Sequence, residues 1–376
     1  MGEQGRILDE TIFVNTKKGL AQNGYERNTD PIRKYVDWST FTQQRDSIAQ
    51  RSITNRLYCS LVREGSATCP CIPHQSGVRE NFCLEQQSQR YCSRLSKITL
   101  DGLTLWYEET GKGFPIVLLH PWPADHAMWM FQVPVLSEYY RVITPDHRGL
   151  GNSDKPAAGY TLKGLSNDVN GLMNRLDIEK AFIVGLSLGG AVAQRFCLDH
   201  PEKVQASIWV GAPKLPTDEF LFEVGGRKRP LPEVYLEALE SKGYIHFRRT
   251  VWKANMRHMF HKDFVGSPLA SYLIRYLFEE RYARLNRDPR GAIGLINALR
   301  KEKILHELKD VKMPVAILVG DNDPTLPYCE EQQRCCPQAE YHVVENSGHM
   351  CVMDQAEEFN KITLEFLKTH SPTHPP

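Results

Sequence analysis

Charge of one sign is what this sequence most plainly lacks: 46 Lys and Arg against 45 Asp and Glu leave a formal net charge of +1 over 376 residues. Without a Lys/Arg excess there is no electrostatic reason to expect nucleic acid or an anionic membrane as partner. Long apolar runs are missing too, and no stretch approaches the roughly 20 residues that a membrane-spanning helix needs. The opening MGEQGRILDETIFVNTKKG carries Glu3, Asp9 and Glu10 and no apolar centre, so it resembles neither a secretory signal nor a transit peptide. No internal repeat is visible. These absences point to a soluble, cytoplasmic chain with neither nucleic acid nor membrane as partner. Paired C-x-x-C knuckles are absent as well. Cys59, Cys69, Cys71, Cys83 and Cys92, with His74 nearby, lack the spacing of a zinc site, and in an intracellular chain they read as reduced thiols. Neither a metal nor an organic cofactor is expected.

What is present is ample apolar material, 41% hydrophobic and 10% aromatic residues, enough for a full core. It is unevenly placed. Residues 1–95 are polar and without periodicity, and read as a poorly ordered extension of unknown role. From residue 96 short apolar runs alternate with helix-like segments. The hairpin KITLDGLTLWYEE turns at Asp101-Gly102, and FPIVLLH, YRVITPD, AFIVG, ASIWVG, PVAILVG and YHVVE follow as strands. Helices are expected near 128–138, 162–175, 188–199, 328–334 and 356–370. Such alternation specifies a mainly parallel α/β sheet with helices on both faces, because each crossover returns the chain across one face. A segment too long for a loop, residues 215–288, follows the sixth strand and reads as a helical cap. The core is then 96–214 with 289–376.

Within this pattern, VGLSLGGAVAQ places Ser187 between glycines, after a buried strand and before a helix. Three fixed positions arise by chance; the context gives them meaning. Gly185 and Gly189 lack Cβ atoms, so the turn can be sharp and the hydroxyl exposed where open α/β sheets put their reactive groups. The helix start supplies amide donors and positive potential. A serine hydroxyl needs a base, and the base needs an orienting acid. His349 in VVENSGHMCV follows the last strand. Asp323 in LVGDNDPTLP follows the one before it, and is preferred over Asp321, which sits closer to the strand end and can serve the turn. An oxyanion formed at Ser187 would find the amide of Leu188, and a second donor is expected from LLHPWPAD. There Trp122 has an amide hydrogen while Pro121 and Pro123 have none.

HPWP, PDHRGLGNSDKP, VGLSLGGAVAQ, GDNDPTLP and NSGHMCVMDQAEEF together resemble the α/β-hydrolase family over about residues 97–370. The likeness is to its branch of enol-lactonases, cofactor-free haloperoxidases and aryl esterases. The resemblance implies Ser187 as nucleophile, Asp323 as acid, His349 as base, and Trp122 with Leu188 as oxyanion donors. Arg148, Gly149, Gly151 and Ser153 match the family's structural turn. Relatives usually carry Gly where this chain has Pro121. The implied activity is hydrolysis of a carboxylic ester or lactone. Epoxide hydrolases and haloalkane dehalogenases of the family use an aspartate where this chain has Ser187. Perhydrolase or haloperoxidase-like and hydroxynitrile-lyase-like activities remain open, as does a ligand receptor on the same fold. Large apolar groups of the cap, such as Phe247, Trp252, Phe260 and Tyr276, with Trp122 and Met350, suggest a small to medium, largely apolar substrate. Arg248, Arg249 and Arg257 would instead suit a carboxylate. Oligomeric state is left open by the sequence.

Overall fold

The computed structural model describes residues 94–213, 221–224, 227–230, 233, 236–237, 240–241, 259–286 and 288–372. Residues 1–93, with the five cysteines and His74, and the cap residues Phe247, Arg248, Arg249, Trp252 and Arg257, lie outside them; the last two residues of the expected extension, Arg94 and Leu95, open a strand instead. No helix among the described residues is long and apolar enough to cross a membrane.

The apolar runs form strands β1 (Arg94–Leu100), β2 (Leu103–Thr110), β3 (Pro115–Leu119), β4 (Arg141–Pro145), β5 (Ala181–Leu186) and β6 (Val204–Val210). A small ribbon, β7 (Leu221–Val224) and β8 (Arg227–Pro230), precedes β9 (Val315–Gly320) and β10 (Glu340–Val344). Eight of them build one sheet in the order β1-β2-β4-β3-β5-β6-β9-β10. Within this sheet β2 pairs antiparallel with β1 and β4, and the other pairings are parallel; the β7–β8 ribbon is antiparallel. Asp101 and Gly102 both take positive φ, 46° and 86°, the backbone of a type I′ hairpin whose twist matches its strands. β5 and β9 are buried at every residue, as strands covered on both faces must be.

Helices α1 (Leu162–Arg175) and α2 (Leu188–Asp199) cover the sheet where the sequence predicts them. Thr161 caps α1 by accepting from Gly164 N, and Leu162, Leu165, Val169 and Leu172 form its buried stripe at helical spacing. α3 (Arg290–Lys301), α4 (Leu326–Cys335) and α5 (Ala356–Thr369) complete the layers. Phe182 on β5 packs edge-on against Phe114, ring centroids 5.0 Å apart, and burying a side chain of that size contributes about 2–3 kcal/mol.

Two elements depart from the sequence reading. In place of one helix near 128–138 there is a 3₁₀ turn, His126–Phe131, and a short α-helix, Val133–Leu136. Asp125 starts the first early by accepting from Ala127 N, and Trp129 breaks the helical path at φ −80°, ψ 19°. The insertion after β6 also holds the β7–β8 ribbon beside its helical pieces, at Lys262–Val265, Pro268–Leu273 and Tyr282–Leu285, with a π-helical stretch at Ile274–Arg281. Gly225-Gly226 between two four-residue runs is its hairpin signal in the sequence.

Candidate active site

β5 ends in the turn that carries Ser187, at φ 55° and ψ −116°. Its backbone is tied down by Ser187 N donating to Val210 O at 2.8 Å. The flanking glycines are obligatory on steric grounds. A Cβ on Gly185 would lie 2.0 Å from Gly189 O, and one on Gly189 would lie 2.0 Å from Leu119 O. Leu188 opens α2, so its amide is among the first-turn donors that a helix itself leaves without a carbonyl partner.

Asp323 and His349 come from the loops after β9 and β10 and meet: His349 Nδ1 lies 2.9 Å from Asp323 Oδ2, both side chains buried. A carboxylate only accepts, so Nδ1 carries the hydrogen and Nε2 keeps its lone pair. Asp323 Oδ1 in turn accepts from Thr325 N at 2.7 Å. Burial opposes charge on His349, but the field and hydrogen bond of Asp323, with Asp354 behind them, outweigh it and raise the imidazole pKa. Gly211 makes room for the pair. At φ 47°, its added Cβ would stand 2.7 Å from Asp323 Oδ2 and 3.1 Å from His349 Nδ1. Val210, which anchors Ser187, and Gly211 are consecutive, so the serine turn and the Asp323–His349 pair converge at the carboxyl end of β6.

Asp321 is occupied otherwise. Its two oxygens accept from Asn346 N and Ser347 N, both at 2.9 Å, which shapes the turn leading to His349. No motif singles out Asp354, which holds the same loop from the far side. It accepts from Ser347 Oγ at 2.6 Å, Gly348 N at 2.8 Å and His261 N at 2.9 Å. Burial raises its pKa against these bonds.

The HPWP loop is rigid. Ala124 N donates to Pro121 O at 3.0 Å across a cis Trp122–Pro123 peptide, closing a type VI turn. Trp122 is 9% exposed, and its Nε1 donates to Ala292 O at 3.0 Å, so its ring is fixed in the packing. Met350 is buried beside His349 and fixed by its N–H bond to Met259 O, 2.8 Å. Beyond the loop, Asp125, His126 and Asp146 bring three ligand-type groups within 4.8 Å of one another. They do not suit a metal, because the Arg281 guanidinium already supplies the cation: Nε is 2.7 Å from Asp125 Oδ2 and Nη2 is 3.3 Å from His126 Nε2. The turn Arg148 to Ser153 is structural. Arg148 pairs with Asp168, and Ser153 Oγ donates to Asp146 O at 2.7 Å.

A profile of the alpha/beta hydrolase fold matches residues 115–356, from β3 through the loop of His349. The chain belongs to the alpha/beta hydrolase family. Over 273 residues it is 29% identical to the AB hydrolase superfamily protein YisY of Bacillus subtilis, covering 71% of this chain and 97% of that protein. It is 26% identical over 278 residues to the non-heme chloroperoxidase CPO-A1 of Kitasatospora aureofaciens, covering 72% of this chain and 98% of that one. The enol-lactonase from Burkholderia xenovorans LB400 shares the fold with a TM-score of 0.63 at 24% identity, over 73% of this chain and all of that one. In an open α/β sheet of this kind the loops at the carboxyl ends of the strands can vary without disturbing the sheet, and Ser187, Asp323 and His349 all lie on such loops.

Proposed function

We propose that the chain is a serine hydrolase that cleaves a carboxylic ester or lactone through an acyl-enzyme on Ser187. One observation carries this reading: the buried Asp323–His349 pair, with Nε2 left to accept, stands at the strand end that also anchors the Ser187 turn. His349 Nε2 takes the hydroxyl proton as Ser187 Oγ bonds to the carbonyl carbon. The amides of Leu188 and Trp122 receive the oxyanion, and the imidazolium returns its proton to the leaving alkoxide. Water, deprotonated by the same nitrogen, then releases the acid. Residues 215–288 act as a cap over a core of 96–214 and 289–376. Trp122 and Met350 supply apolar walls. A small to medium apolar acyl group suits them, each buried CH₂ contributing about 0.8 kcal/mol.

The test is covalent. A fluorophosphonate is expected to add once, on the peptide containing Ser187, with neutral aryl esters of short to medium acyl chain turned over repeatedly without any partner. Labelling elsewhere overturns the assignment. A tenfold preference for carboxylate-bearing lactones would replace the apolar substrate with an anionic one. Ligand-dependent capture of a partner without turnover would favour a receptor, and hydrogen-peroxide-dependent halogenation a haloperoxidase-like activity.

The raised pKa of His349 fixes the direction of the pH dependence. The base acts only when neutral, so kcat/KM is expected to rise with pH through a midpoint above the ordinary imidazole value of about 6.5. Asp354→Asn removes one of the raising charges and should move that midpoint down. A midpoint at or below that of free imidazole in the unaltered protein would contradict the pairing.

A further inference from the structure

We propose that Arg281 and Asn286 are positioning residues: the chain segment returning from the insertion grips the loop that bears Trp122 and holds its amide in register for the oxyanion. This rests on the acyl-enzyme reading above. An oxyanion donor acts only within tenths of an ångström of its place, so what fixes the loop matters as much as the amide. The two prolines lock φ at 121 and 123 but do not set how the loop sits on the sheet.

Three contacts from residues 281–292 do. Arg281 Nε donates to Asp125 Oδ2 at 2.7 Å, Asn286 Nδ2 donates to Pro123 O at 3.1 Å, and Ala292 O accepts from Trp122 Nε1 at 3.0 Å. They act on residues 122, 123 and 125, so a shift of the returning segment shifts the loop. Asp125 and Asn286 are fully buried and Arg281 is 8% exposed, which makes each bond costly to break. From below, Asp146 Oδ1 accepts from His126 N at 2.8 Å and pairs with His126 Nδ1 at 2.7 Å. Asp146 Oδ2 takes Asn152 N at 2.8 Å. Burial opposes charge on His126, but Asp146 and then Asp125 raise its pKa to about 9 against Arg281. The loop is thus clamped between the core turn and the returning segment.

A mere anchor for the cap would share this geometry, so the test separates the two roles. Removing one member of a buried ion pair strands the other charge. The first variant is therefore the double R281M/D125N, in which the amide oxygen still accepts from Ala127 N. The second is Asn286→Ala. With a neutral aryl acetate as probe, both are expected to lower kcat, the double by about tenfold to a hundredfold. KM should stay within about twofold, and the acid-limb midpoint of His349 should not move, because the Asp323–His349 pair is untouched. Should the double variant not fold, Asn286→Ala carries the test alone. Unchanged kcat in a folded variant overturns the proposal. So does a loss in which KM rises or the midpoint shifts, since either marks a general disturbance. Failure of the serine reading shows separately, as absent fluorophosphonate labelling of the unaltered protein.

Discussion

Ser187→Gly is expected to give an inactive protein that is more stable than Ser187→Ala. Either substitution removes the proposed nucleophile, and losing one member of a cooperative triad lowers kcat by about 10⁴- to 10⁶-fold. The two differ in the backbone. At φ 55° and ψ −116°, residue 187 occupies the first central position of a type II′ turn, which glycine populates freely and any residue with a Cβ resists. Such outliers cost on the order of 1–3 kcal/mol and persist only when the surroundings impose them. Here Ser187 N is held by Val210 O, and Gly185 and Gly189 pack against backbone on both sides. Alanine keeps the strain. Glycine releases it, less about 0.5–1 kcal/mol for its freer unfolded chain. Urea unfolding of the two inactive variants should therefore place Ser187→Gly about 1 kcal/mol above Ser187→Ala. Equal midpoints would mean the turn stores no strain.

That strain explains why the serine was legible and other parts of the site were not. Only glycines fit at 185 and 189, so the local sequence announces the turn. α1 and α2 are equally local: a Thr161 cap and a four-residue apolar stripe set the first, and the serine turn sets the start of the second. The 3₁₀ turn at His126 escapes the apolar pattern because its start is decided by Asp125, a residue that such a pattern overlooks. The clamp on the Trp122 loop is invisible for a different reason. Asp125 and Arg281 are 156 positions apart, and Asn286 is 163 from Pro123, so no window of sequence contains the pair. Arg281 reads as one more solvated cation of a polar segment until the fold buries it. Asp354 is hidden likewise, at the end of a short helix (Cys351–Asp354) just ahead of the acidic first turn of α5, although it holds Ser347 and Gly348 just before His349.

The two aspartates after β9 should separate cleanly. Asp323→Asn is expected to lower kcat about 10⁴-fold while leaving the fold intact. Thr325 N donates to Asp323 Oδ1, so an amide at this position puts its oxygen there and turns its NH₂ toward His349 Nδ1. That nitrogen must then accept. The hydrogen moves to Nε2, which then cannot take a proton from Ser187, and the proposed base is disabled by tautomer rather than by displacement. Loss of the carboxylate also removes what raises the pKa of His349, so the residual activity should show a lower acid-limb midpoint. Asp321→Asn has no such route to the chemistry. Its oxygens accept from two backbone amides, of which an amide side chain can satisfy one. The cost falls on the turn, on the order of 1 kcal/mol for an exposed site. It should appear in the unfolding midpoint, with kcat reduced less than about tenfold. Steady-state kinetics and urea titration of both variants decide the matter. If Asp321→Asn proved the more damaging to kcat, Asp321 would be the acid, and the Asp323–His349 contact would be a feature of packing.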